Sequence, residues 1–186
     1  MAMKATQILE REHHLIQLAV GAMAATAERL GMGETAEKET LVNFVEFMRA
    51  FVGKCHHEKE DNHLFPLLVR KGVPVAGCPI GALTHEHQTA AKLTADLGAA
   101  VEAYLANPSE MRQFLTTSLR GLAELYPGHI WKENYLLFPM TDKILSADDQ
   151  RGLVAEFERV EKNIGPDVHQ RFQQMAEQLM ARSQRR

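Results

Sequence analysis

Cysteine is nearly missing from this chain. Two residues, Cys55 and Cys78, are too few for a disulfide framework, so a reducing cytoplasm is the expected setting. No apolar run approaches the roughly 18 residues that a membrane-spanning helix needs. The stretch Met1–Gln7 lacks the apolar centre of a secretory signal, and Glu10, Arg11 and Glu12 follow it closely. A strong charge of either sign is absent as well. The formal net charge is −3, which gives no electrostatic reason to expect nucleic acid or an anionic membrane as a partner. The basic end, Arg182-Ser183-Gln184-Arg185-Arg186, is short and reads as a frayed, solvated terminus. What remains is an ordinary balance of 45% hydrophobic and 24% charged residues over 186 positions, enough for one domain with a sizeable core.

Valine and isoleucine are sparse, while Ala, Leu, Glu, Gln, Met and Lys are plentiful, and apolar residues recur every three or four positions. Both features favour helix. Gly31-Met32-Gly33, Lys71–Pro79 and Asn107-Pro108 punctuate the pattern, and Ser146-Ala147-Asp148-Asp149 opens the last segment. Asn107 and Ser146 stand where N-caps belong. The expected helices lie near 4–30, 35–71, 80–105, 109–144 and 147–181, with Pro127 and Gly165-Pro166 kinking or breaking the last two. Short connections between long helices imply an up-down antiparallel bundle, all-α throughout. The stripe Leu153, Phe157, Val160, Ile164, Val168, Phe172, Met175 and Leu179 must be buried, on its own bundle or in a homodimer, so the expected state is monomer or homodimer.

Nine histidines are an excess for this length, and their placement repeats. Cys55-His56-His57-Glu58-Lys59-Glu60 leads into Leu64-Phe65-Pro66, and Gly128-His129-Ile130-Trp131-Lys132-Glu133 leads into Leu137-Phe138-Pro139. Both read His-x-x-Lys-Glu-x-x-x-Leu-Phe-Pro. Glu12-His13 and Glu86-His87 pair at nearly the same offset, so the chain consists of two copies of a helix pair. Residues four apart share a helix face, so His56 with Glu60, and His129 with Glu133, can each aim a nitrogen and an oxygen at one point. In the expected fourth helix, His129 and Glu133 fall within the stripe Met111, Leu115, Leu119, Leu122, Tyr126, Leu136, Leu137 and Met140. His13 lies at the edge of its helix's inner face and His87 within its own, whereas His14, the rival of His13, and His85 point away.

The inward set is therefore His13, His56, Glu60, His87, His129 and Glu133. Buried carboxylates without partners cost several kcal/mol, roughly, so two matched His–Glu pairs call for cations. Four histidines and two carboxylates divide into two metals, each with two His and one carboxylate, a set suited to non-haem iron and dioxygen-type chemistry. Six ligands on four helices are too many for one tetrahedral structural zinc. Around this set, Glu12 and Glu86 read as groups that orient their neighbours or sit at the rim. His63, one turn past Glu60, reads as a spare ligand, a satisfied core histidine or an outer partner of the ligands. Tyr126 reads either as a packed core tyrosine or as a hydrogen-bond donor to an oxygen ligand at the metals. His57, His85 and His169 read as surface residues, and Cys55 as a buried, inert thiol.

Glu12-His13-His14-Leu15-Ile16, His56-His57-Glu58-Lys59-Glu60, Glu86-His87 and His129-Ile130-Trp131-Lys132-Glu133, with the two Leu-Phe-Pro signatures, resemble the HHE cation-binding domain of hemerythrin-like proteins over about residues 5–145. The resemblance implies a single hemerythrin-like domain over 1–186, with a four-helix core bundle over about 4–145 and a C-terminal helical extension over about 146–182. It implies two non-haem Fe ions with an oxo or hydroxo bridge, held by the six residues named, and a small diatomic or peroxide ligand. Oxygen-carrying hemerythrin has a fifth histidine and an aspartate in its pattern. Here the second half ends in glutamate, as in bacterial proteins similar to the iron–sulfur-cluster repair di-iron proteins. Three classes of function follow: a binding protein for dioxygen, nitric oxide, peroxide or iron; a di-iron stress-response enzyme for peroxide or nitric oxide removal or cluster repair; and a structural bundle whose metals are incidental.

Overall fold

The computed structural model describes residues 3–183; the last three residues of the basic end lie outside the described residues. Six helices and no strand occur among them. Helix α1 is Ala5–Gly31. Helix α2 spans 38–70 without a break. Helix α3 is Ile80–Ala106, and α4 spans 108–144. Two shorter helices complete the bundle, α5 at Ala147–Ile164 and α6 at Val168–Ser183.

The expected break at Gly165 is present. Gly165 has φ 149°, a conformation open to glycine at little cost, and it separates α5 from α6. The expected break at Pro127 is not: α4 runs through it. The Ser146 hydroxyl accepts from the Asp149 amide in a capping box. Asn107 occupies the cap position of α4 but makes no side-chain capping bond; its Oδ1 accepts instead from the Ser109 hydroxyl.

Both halves of the repeat carry a local widening of the helix. Glu60–Leu64 and Glu133–Leu137 are π-helical, and the amides of Phe65 and Phe138 bond back five residues to the carbonyls of Glu60 and Glu133. Pro66 and Pro139 follow at once, with no N–H to offer and a ring that crowds the preceding turn. The wider turn accommodates them. It also inserts one residue into the periodicity. Past Glu60 the buried positions become Leu64, Phe65 and Leu68, and past Glu133 they become Leu137, Phe138 and Thr141. Leu136, which a regular helix places in the core stripe, is therefore 41% exposed. A longer π-helical stretch, Phe47–His57, carries His56 near its end.

The core consists of two apolar clusters. One runs from Ile16, Phe44 and Phe51 through Leu97, Leu119 and Tyr126 to Phe172 and Leu179. The other gathers Leu9, Leu64, Phe65, Leu83, Leu137, Phe138 and Phe157. On each of α1 to α4 the polar residues at issue fall between members of these two clusters. Helices α5 and α6 lie along α1 and α2. Phe172 of α6 packs its ring at 5.8 Å from that of Phe47 and 5.3 Å from that of Phe51. The C-terminal stripe is thus covered by its own bundle. No helix among the described residues is long and apolar enough to cross a membrane.

Candidate metal centre

Between the two apolar clusters lies a polar layer with contributions from α1 to α4. His13, His56, Glu60, His87, His129 and Glu133 are all buried there. His13, His56, Glu60 and Glu133 each bring one ligand atom within 4.8 Å of the others, and His87 and His129 do so with His57. Within each repeat the one-turn spacing has its expected effect: His56 Nε2 is 3.4 Å from Glu60 Oε2 and His129 Nε2 is 3.3 Å from Glu133 Oε1. The halves also cross. His13 Nε2 lies 3.0 Å from Glu133 Oε2, and His87 Nε2 lies 3.6 Å from Glu60 and 3.7 Å from Glu133.

Each of the four imidazoles is held from behind through Nδ1. Glu12 holds His56 at 2.9 Å and Glu86 holds His129 at 3.0 Å. Asn134 holds His13 at 2.7 Å and Asp61 holds His87 at 2.8 Å. With Nδ1 turned outward to an oxygen, Nε2 is the nitrogen that faces inward, the orientation a metal-binding histidine requires. Glu12 and Glu86 take the orienting role open to them from the sequence. Asp61 and Asn134 do not stand out in the sequence, although they occupy the same place in the repeat, directly after Glu60 and Glu133. Their pairing across the halves is the signal that could have found them.

The inward atoms find no hydrogen-bond partner. This holds for Nε2 of His13, His56, His87 and His129 and for both carboxylate oxygens of Glu60 and Glu133. Short N···O approaches without a directed hydrogen bond fit a donor set arranged around a cation rather than around itself. Electrostatics agree. Burial, together with the charge of Glu133, pushes the Glu60 carboxyl well above its usual range. Burial also acts to raise Glu133, but His129, His13 and His87 outweigh it and hold Glu133 well below. Without a cation, then, one carboxyl keeps its proton and the other does not. Burial lowers His56 to about 4 and also lowers His129. For His87 burial is outweighed by Asp61 and Glu133, which raise it to about 9.

The two outer shells differ. The Glu12 carboxylate, besides holding His56, accepts from Lys59, which is fully buried and also bonds Glu161 of α5 at 2.6 Å. His169 of α6 approaches Glu12 at 2.9 Å and Glu161 at 3.1 Å. Contacts with Cys55, Glu12 and Glu161 push His169 up to about 11. In the second half Lys132 meets Glu86 in the same way, but the pair is less enclosed, and the two side chains keep 25% and 21% exposure.

Three readings from sequence change. His57 is buried rather than exposed, and its ring stacks on that of His87 at 3.8 Å and 12°. The sequence signal was its counterpart in the repeat, Ile130, which is also buried. His169 is not a plain surface residue; it is 40% exposed but engages Glu12 and Glu161. His63 is half-buried rather than a core histidine, and it shares no donor group with the six residues. The inserted residue of the π turn rotates it away, into a surface groove with Asp148 and Gly152. His14 and His85 are exposed, as expected. Tyr126 is buried 5.8 Å from His129, ring to ring, and its hydroxyl has no partner. Burial and the charges of Glu133 and Glu60 raise its phenol, which keeps the proton. Cys55 and Cys78 are both free thiols, and Cys55 is buried.

The family model for the hemerythrin HHE cation binding domain matches residues 4–141. Uncharacterized proteins of Mycobacterium tuberculosis and Mycobacterium bovis are 24% identical to the chain over 168 residues. That stretch is 90% of this chain and 62% of theirs, so the chain spans about three-fifths of the length of these curated relatives. No solved structure matches.

Proposed function

This chain belongs to the hemerythrin HHE cation-binding domain family, and from that membership and the geometry of the core we propose that it binds two non-haem iron ions and, at them, a small ligand such as dioxygen, nitric oxide or peroxide. The observation that carries the reading is the set of four imidazole nitrogens and four carboxylate oxygens, buried, convergent and without hydrogen-bond partners. In this reading α1 to α4 are an up-down four-helix bundle. His13 and His56 would hold one ion and His87 and His129 the other, with Glu60 and Glu133 as the carboxylate donors.

The donor chemistry suits iron: imidazole and carboxylate together, with no thiol among the six donors. When bound, such a pair supplies reversible electron transfer and open positions for a ligand. The protein's own contribution is fourfold. Glu12, Glu86, Asn134 and Asp61 fix the imidazoles in the required orientation. Glu60 would release, on metal binding, the proton that burial beside Glu133 favours in the metal-free state. Glu133 brings its charge ready formed. The apolar clusters on either side exclude water and limit unproductive oxidation.

The test is titration of metal-free protein with Fe(II) under anaerobic conditions, followed by oxygen. The reading expects two equivalents per chain and a charge-transfer band on oxygenation. Reversal of the band on removing oxygen marks a carrier, and turnover of peroxide or nitric oxide marks an enzyme. Retention of no iron, or of one ion per chain, overturns the reading.

A further inference from the structure

A cleft of about 260 Å³ lies between α2 and α3, beside the metal layer, with Tyr126 of α4 at its inner end. Met48, Val52 and Ala90 form its apolar walls, and His57 lies with Tyr126 in its lining. Both polar residues are more than nine-tenths buried, and both present an atom with no hydrogen-bond partner: Nε2 of His57 and the hydroxyl of Tyr126. Leaving two such groups unpaired in an interior is costly unless something that enters the cleft satisfies them.

His57 lies close enough to His87 and His129 to be taken for a third imidazole ligand. Its stacking argues otherwise. Two rings 3.8 Å apart and within 12° of parallel direct their in-plane lone pairs along parallel layers. An ion at about 2.0–2.1 Å from one ring nitrogen, in that ring's plane, is out of reach of the other. His87 is the ring that faces Glu60 and Glu133. His57 is therefore the free imidazole, standing between the cleft and the ligand layer. The repeat makes the same point. Ile130 occupies its place in the second half and packs as an apolar residue, so the fold does not require a histidine there.

We propose that this cleft is the port and seat of the small exogenous ligand, and that Tyr126 and His57 are the residues that recognise it by hydrogen bonding. The proposal rests on the metal reading above and assigns the side from which the ligand arrives. The ligand class is a molecule of two or three heavy atoms with lone pairs, small enough to pass the apolar walls and able to accept from a phenol. Arg49 and Lys54, also in the lining, favour a singly charged anion over a cation.

Azide is the probe, added to the oxidised, iron-loaded protein in a stopped-flow spectrometer, with iron content measured on each sample. Ala91 and Gly53 are exposed and lie in the lining on opposite sides, from α3 and α2. A Cβ at Gly53 meets only the Met48 carbonyl, at 3.5 Å, so a side chain fits there. Ala91→Phe and, independently, Gly53→Leu should slow azide association at least tenfold with unchanged iron content. Tyr126→Phe and His57→Ala should each speed azide dissociation about tenfold, the loss of one hydrogen bond of about 1.4 kcal/mol, again with unchanged iron. Wild-type azide kinetics in the filled variants and in Tyr126→Phe overturn the proposal while leaving the metal reading intact. Loss of iron from His57→Ala but not from Tyr126→Phe makes His57 a ligand and overturns its assigned role. Failure of the wild-type chain to take up iron overturns the metal reading and this proposal with it.

Discussion

His13 Nε2 stands 3.0 Å from Glu133 Oε2, so an imidazole from the first helix meets a carboxylate from the fourth. The same crossing joins His87 to Glu60 at 3.6 Å. Neither repeat therefore completes a donor set alone. The centre forms only when the two helix pairs dock, which ties metal binding to folding of the whole bundle.

The first consequence concerns Glu60. In metal-free protein its carboxyl is raised because it shares a buried space with Glu133. A carboxyl raised on folding contributes most below its unfolded value and loses that contribution as pH rises through the folded one. Relative to Glu60→Gln, the metal-free wild type should therefore lose stability as pH rises above the ordinary glutamate range. Glu60→Gln should remove that slope and stabilise the metal-free protein at pH 7 by about 1–3 kcal/mol. Iron content should fall by half or more. Urea unfolding from pH 4 to 8 and metal analysis check both halves of the prediction.

A second consequence is asymmetry between the two outer carboxylates. Glu12→Ala leaves a fully buried Lys59 without its principal partner and should cost about 3–5 kcal/mol. Glu86→Ala acts on a partly exposed pair and should cost no more than about 1 kcal/mol. Chemical denaturation of the two metal-free variants measures the difference directly. Equal losses would mean that α5 and α6 do not seal the first site as the contacts indicate.

Helices and the His–Glu spacing were legible in the sequence because both rest on local rules. A 3.6-residue period sets which residues share a face, and His56 with Glu60 obeys it within a single turn. Readings failed where a residue's environment depends on a distant element or on an inserted residue. His63 and Leu136 each sit three residues past Glu60 and Glu133 respectively, and the π turn that precedes each proline rotates them out of the core. The Leu-Phe-Pro signature was visible; its effect on register was not read. His169 contacts residues of α1 and α5 remote in sequence, so no local pattern could place it. His57 was recoverable, since its repeat partner Ile130 is apolar. Asp61 and Asn134 were recoverable in the same way, from the repeat register.

The third prediction follows from His169. Its folded value of about 11 lies above its ordinary value of 6.5. The stability it adds is therefore complete below pH 6.5 and is lost progressively as pH rises toward 11. Its partial exposure keeps the effect modest. Between pH 6 and 9 the wild-type chain should lose stability more steeply than His169→Asn, as followed by thermal melting at fixed ionic strength. Identical slopes would remove His169 from the network around Glu12.

The central claim meets its most direct test in a crystal grown from iron-replete protein, with data collected on both sides of the iron absorption edge. The account predicts two anomalous peaks in the polar layer, one beside His13 and His56 and one beside His87 and His129, with Glu60 and Glu133 between them. A single peak, or none, with those six side chains hydrogen-bonded to one another or to water, would contradict it.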